Sequence, residues 1–255
     1  MQKMDIVYLT DIGKRRANNQ DFVAAFKNQA DVIFAVVADG MGGHLGGDVA
    51  SEMAVSQIGH DFTQTDISTV FDLKDWLLKE LTNENNRIIE VSSKFSDLTG
   101  MGTTFVALMI SGNRYVITNI GDSRGYLLRH GELHQITEDH SLVNELVKYG
   151  KISPEEARSH PQKNVITRTL GVSKDVQPDS NNDVWHQDDL FLLCSDGLTN
   201  MVTDEVIREI LVTENVSLKE RAQRLIVQAN ANGGRDNISV LLLQPGAQST
   251  EGQDQ

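Results

Sequence analysis

The chain has 255 residues, 39% of them apolar, enough to bury the core of one large domain or two small ones. Its formal net charge of −13 repels a polyanion such as DNA unless a local basic patch or bound cations intervene. A single cysteine excludes an internal disulfide, no apolar h-region of 7–15 residues opens the sequence, and no run approaches the ~18 apolar residues that span a bilayer, so the reading is a soluble cytoplasmic protein.

In chain order, "MDIVYLT" (4–10) has the β-branched and aromatic content of a strand. "VIFAVVA" (32–38) is apolar without alternation, as a strand covered on both faces would be. A helix follows over Gly47–Phe62, where Ala50, Ala54 and Ile58 share one face. A second runs from Leu73 to Val91, marked by Leu73, Trp76, Leu77, Leu81 and Ile88. "TTFVALMI" and "RYVITNIG" then read as strands joined by "SGN", and "GYLLRHG" and "ELHQIT" as strands joined by "HGE". Such short glycine-containing links predict antiparallel hairpins rather than parallel βαβ units. Leu142, Val143, Leu146 and Val147 form a short helical face that stops at Gly150. Ser153-Pro154-Glu155-Glu156 combines an N-cap, a proline at the first helical position and a third-position glutamate.

Residues 153–184, polar around a central "VITRTLG", read as a mobile surface excursion of the kind that carries function. "DLFLLCS" is a buried strand in which Cys194 is a small core residue. Ser217 and Glu220 form another capping box, and "NISVLLLQ" is the last strand. From Pro245 onward "PGAQSTEGQDQ" reads as a disordered polar tail, leaving a domain over 1–244. Helices and strands are grouped rather than alternating, which predicts an α+β layered domain.

Five aspartates stand where strands begin or end. Asp39 and Asp196 each close an apolar run and are followed by glycine; Asp122 ends "YVITNIGD"; Asp236 opens the last strand; Asp21 precedes the apolar "FVAAF". Any one of them could be an ordinary turn residue bonding its own backbone. Two that follow buried strands need neutralising, and a bound divalent cation does that. With no cysteine cluster and no zinc-type histidine pair, the donors are oxygens, which suit Mg2+, Mn2+ or Ca2+; the calcium-loop spacing D-x-D-x-D-G is absent, leaving Mg2+ or Mn2+. Gly40 then lets its own carbonyl approach a cation, while Gly42 and Gly43 permit positive φ and Gly46 and Gly47 lead into a helix near Asp48. "DGMGGHLGG" fits neither the G-x-x-x-x-G-K-[ST] phosphate loop nor the G-x-G-x-x-G fingerprint.

The ordered set "TDIGKRRANNQD", "ADGMGGH", "GMGTT", "NIGDSRGYLLR", "TEDHS", "ITRTLG", "SDGL" and "GGRDNISV" resembles the metal-dependent, protein phosphatase 2C-like protein phosphatases, most of all their bacterial single-domain members. The resemblance runs from about Asp11 to Leu243. It implies an α-β-β-α four-layer sandwich of two antiparallel sheets between helices, with metals in a cleft at one end. By position it implies that Asp39 bridges two ions, with the Gly40 carbonyl on the second and Asp196 and Asp236 completing the first. Asp122 with Asp196 is similar to the ligands of a third, weaker ion. Asp21 orients water, and Arg16 grips the substrate phosphate; Lys14 and Arg15 beside it read as solvated surface charge. Two positions depart from animal relatives: Gln20 stands for a glutamate, and Met41 for a histidine thought to act as general acid. Many bacterial members share both differences. His44 is close enough in sequence to be considered for the proton.

The implied activity is hydrolysis of phosphoserine and phosphothreonine by direct attack of a hydroxide bridging two Mn2+ or Mg2+ ions, with no covalent intermediate. A monomer with phosphoprotein substrates, a cognate Ser/Thr kinase, and no nucleic-acid or membrane partner completes the expectation. The alternatives are a non-catalytic module that reads phosphate or metal, and a nuclease or nucleotide phosphodiesterase; the acidic charge and missing basic-aromatic surface disfavour the latter.

Overall fold

Strands that are apolar along their whole length need cover on both faces, and the computed structural model, which describes residues 3–42 and 46–246, supplies it. The first sheet joins β1 (Met4–Asp11), β11 (Ile238–Pro245), β10 (Leu190–Cys194), β7 (Arg124–Arg129) and β8 (Glu132–Gln135) in that spatial order. The second joins β2 (Asp21–Lys27), β3 (Ile33–Met41), β5 (Phe105–Ser111), β6 (Arg114–Ile120) and β9 (Asp179–Val184), and the two-residue β4 (Gly102–Thr103) pairs with the end of β3. Every pairing is antiparallel.

Alternate residues of each central strand face opposite cores. Val37, Leu108 and Ile117 of the second sheet pack between the sheets with Phe191, Leu193 and Leu241 of the first. Their neighbours Phe34, Val36 and Ala38 face α1 (Gly46–Thr63) and α2 (Val70–Lys94). On the other side Leu192, Cys194 and Val240 face α5 (Asp196–Thr199), α6 (Asp204–Val212) and α7 (Leu218–Ala231). The result is the α-β-β-α sandwich, with Cys194 a buried core residue as expected. No helix among the described residues is long and apolar enough to cross a membrane.

The structure corrects several expectations. The 153–184 segment is not one loose excursion: it begins with α4 (Pro154–Ser159), beside α3 (Leu142–Lys148), and ends as β9 on the edge of the second sheet. β9 was hidden because DSNNDV carries no apolar alternation; its cross-strand pairs are polar, Ser180 Oγ 2.8 Å from Thr118 Oγ1 and Arg114 donating to Asn182 Oδ1 at 2.8 Å. α6, unanticipated, buries Ile207 and Leu211 one turn apart. α1 starts at Gly46, two residues before Asp48. The capping box at Ser153 is present in both halves. At Ser217 only the hydroxyl half forms, because Glu220 turns instead to Arg224 at 2.7 Å. Pro245, expected to begin the tail, is the last residue of β11 opposite Met4, and Gly246 N–H donates to Lys3 O at 2.7 Å. Gly43, His44 and the tail from residue 247 lie outside the described residues.

Candidate metal centre

The two Asp-Gly pairs sit where strand ends crowd against neighbouring backbone. Asp39 is locked at the end of β3: its N–H donates to Thr104 Oγ1 at 2.9 Å, and its carbonyl accepts from Thr104 N–H at 2.9 Å and Thr103 Oγ1 at 3.0 Å. Gly40 donates its N–H to Gln20 O at 3.0 Å. A Cβ at Gly40 would overlap the Gly47 carbonyl at the start of α1, and one at Gly197 would overlap the Asn237 carbonyl. Both glycines therefore bring a second backbone against the aspartate before them, which no residue with a side chain could do. Gly42 has φ of 121°, in line with the sharp exit expected there.

Asn237, which the sequence reading passed over, organises the opposite wall. Its amide donates to Ile12 O and Asn18 O at 2.9 Å each, and its Oδ1 accepts the Gln20 N–H at 2.8 Å. One buried side chain thus pins both ends of the loop that carries Arg16, next to Asp236. Its only sequence signal is its place directly after that aspartate.

Register does the rest. Asp21 and Asp39 lie opposite each other on β2 and β3, so their side chains share a face. Asp21 Oδ2 accepts from Ser195 Oγ at 2.7 Å, which ties it to the residue before Asp196. Asp21, Asp122 and Asp196 each hold a wholly buried Oδ1 without a hydrogen-bond partner. Burial, followed by repulsion from Asp21, Asp196, Asp122 and Asp236, pushes the Asp39 carboxyl well above the ordinary carboxylate range. Burial likewise raises Asp21 to about 7, Asp196 to about 6 and Asp122 to about 8, against hydroxyl bonds that favour the charged form of Asp21. Arg16 donates to Asp236 Oδ2 at 2.6 Å and feels Asp39 and Asp196 beyond it; that bond, then those charges, raise its pKa.

The five aspartates and Arg16 are thus gathered at one end of the sandwich, from four strand ends and two loops. The donor set suits a hard divalent cation: oxygens only, three of them buried and unpaired, in a cluster whose members resist ionising together. Among the described residues no three His, Cys, Asp or Glu side chains already close on a single point as a cage. Gln20 turns its amide against Gly47, where a Cβ would lie 2.7 Å from Nε2. Met41 lies opposite Gly102.

A groove of about 420 Å3 leads away from Asp122 and Asp196 between α3–α4 and the start of α6, with Val143, Val147 and Met201 among its apolar lining. It is an open, mixed surface adjoining the acids.

A sequence model described as protein phosphatase 2C matches residues 13–234. Protein phosphatase PhpP of Streptococcus pneumoniae is 44% identical over 248 residues, covering 97% of this chain and 100% of that one. A solved structure of the S. agalactiae serine/threonine phosphatase superposes with a TM-score of 0.92 at 45% identity, over 96% of this chain and 100% of that chain. The catalytic domain of the serine/threonine protein phosphatase PstP, solved with two manganese ions, gives a TM-score of 0.83 at 38% identity, over 94% and 97%. The chain belongs to the protein phosphatase 2C family, as a protein phosphatase similar to the bacterial serine/threonine enzymes.

Proposed function

We propose that the protein is a metal-dependent phosphatase that hydrolyses phosphoserine and phosphothreonine in other proteins, with water as the nucleophile and no phosphoenzyme. The observation that carries this is the gathering of buried, unpaired aspartate oxygens beside an arginine. Asp39, the Gly40 carbonyl, Asp196 and Asp236 would hold two Mn2+ or Mg2+ ions, and Asp122 with Asp196 a third, weaker one. PstP, 38% identical, was solved with two manganese ions, which supports reading a two-ion centre in this chain. When bound, such ions lower the pKa of water and draw charge from phosphoryl oxygens.

The chain's own residues do the remaining work. Arg16 exchanges Asp236 for the substrate, its planar fork taking two phosphate oxygens where lysine would offer a point charge. Asp21, steadied by Ser195, presents its free Oδ1 to orient water and accept its proton. Met41 donates no proton, so the leaving alkoxide takes one from water. Asn237 keeps Arg16 and Asp236 in register by fixing the loop between Ile12 and Gln20. The groove past Asp122 receives the polypeptide flanking the phosphorylated residue. The acidic protein admits a dianion because cations offset the local charge. Substrate in this reading comes from a Ser/Thr kinase in the cytoplasm, and the enzyme works as a monomer.

The test is Asp39→Asn assayed on a phosphothreonine peptide with Mn2+. Turnover should fall by about 10²-fold or more, as for loss of a charged group that acts in the transition state. EDTA should abolish wild-type turnover and Mn2+ restore it. Near-normal turnover by the variant removes Asp39 from the centre.

A further inference from the structure

The turn that carries Asp122 is held from outside by one residue, through its main chain and its side chain. Gly121, with φ of 102°, packs its bare Cα against Thr104, and Asp122 follows with its Oδ1 buried and unpaired. His140 grips this turn twice: its N–H donates to Gly121 O at 2.9 Å, and its Nδ1 accepts the Gly121 N–H at 3.2 Å. With Nδ1 accepting, the ring proton sits on Nε2. Nε2 lies 3.2 Å from Asp179 Oδ2, the acceptor that such a proton requires. Asp179 opens β9, and its other oxygen takes Arg168 Nη1 at 3.3 Å. The His140 carbonyl accepts the Thr167 N–H at 2.8 Å. His140, its ring only 4% exposed, therefore joins three segments: through the ring the Asp122 turn and the first residue of the edge strand, and through its carbonyl the 166–170 stretch that pairs with Thr103.

We infer that His140 is a positioning residue that fixes the Asp122 turn for the weaker cation and couples that cation to the 166–179 segment. The inference rests on the proposed role of Asp122. A link between two sheets that turns on a glycine has several backbone settings of similar energy, and the main-chain and ring bonds from His140 select one. The partners around a ligand orient it, and their loss costs about 10–100-fold in metal affinity. Coupling is reciprocal: if the segment holding Arg168 and Asp179 sets the turn, cation binding at the turn must also order that segment.

Isothermal titration of Mn2+ into the purified full chain tests this. Asp122→Ala should remove the weakest binding event. His140→Ala should weaken that event about tenfold or more and leave the tighter events unchanged. His140→Asn, which keeps an acceptor for the Gly121 N–H, should recover most of the loss. Hydrogen exchange should show Mn2+ protecting amides 166–179 in the wild type and not in His140→Ala. If His140→Ala does not fold, Asp179→Ala, which frees the ring together with Arg168, should weaken the same event. Should Asp122→Ala remove the weak event while His140→Ala leaves it intact, the inference fails alone. Should both histidine variants weaken every event equally with a lowered melting temperature, His140 is merely structural. Should Asp122→Ala change nothing, the Asp122 reading fails and takes this one with it.

Discussion

Arg16 shows how one residue serves both structure and chemistry. Half its side chain is exposed, yet it points into the acid cluster because Gly13, at φ of 77°, and Asn237 fold its loop against Asp236. Arg16→Lys should keep the charge and lose the fork, lowering kcat/KM on a phosphothreonine peptide roughly tenfold, or about 1.4 kcal/mol. Steady-state kinetics on both proteins checks this, and equal kcat/KM would show that the guanidinium does not hold the phosphate. Asp39 and Asp196 were legible in the sequence because a carboxylate after a buried run contradicts its surroundings, and Asp21, Asp122 and Asp236 through their places at strand ends and the resemblance. Asn237 and His140 were not. An uncharged amide or a lone imidazole contradicts nothing locally, and its value appears only when separate segments meet, as Asn237 and Gln20 do at 2.8 Å and His140 and Asp179 at 3.2 Å.

Among the elements, those with a clear period or an unbroken apolar run were readable, and those stabilised by pairing alone were not. β10 is visible as LFLLC; β9 exists because β6 offers it a ladder and Thr118 and Arg114 offer polar partners. The chain between β8 and β10 is accordingly two things, an α3–α4 corner beside the groove and an edge strand on the second sheet. The corner faces the groove with Val143 and Val147. Val143→Asp with Val147→Asp should repel a phosphorylated polypeptide and leave a small aryl phosphate untouched. Activity on a phosphoprotein should fall about tenfold for each charge-driven 1.4 kcal/mol, with para-nitrophenyl phosphate turnover unchanged. Equal losses on both substrates would mean that the corner shapes the acid cluster rather than the docking of substrate.

For the molecule as a whole, the acid cluster trades stability against function. Unfolded aspartates titrate near 3.9, whereas folded Asp196, Asp21 and Asp122 are raised to about 6, about 7 and about 8, first by burial and then by the charges of neighbouring aspartates. The folded state therefore holds protons that the unfolded state has released. Below about pH 4 both states are protonated and the groups cost nothing; between about pH 4 and pH 8 the folded state is progressively disfavoured. A divalent cation binds the ionised carboxylates, so it supplies most stability where the metal-free protein has lost most. In EDTA the melting temperature should fall between pH 5.5 and pH 8. Saturating Mn2+ should raise it more at pH 8 than at pH 5.5, and cation binding near pH 6 should release protons. The increments can be read from thermal melts at the two pH values, and the protons from calorimetry in buffers of different ionisation enthalpy. An Mn2+ increment that is the same at both pH values, with no proton release, would mean that these aspartates are already ionised in the folded protein. The cluster would then be neutralised by Arg16 and solvent, with no cation required to hold the end of the sandwich together.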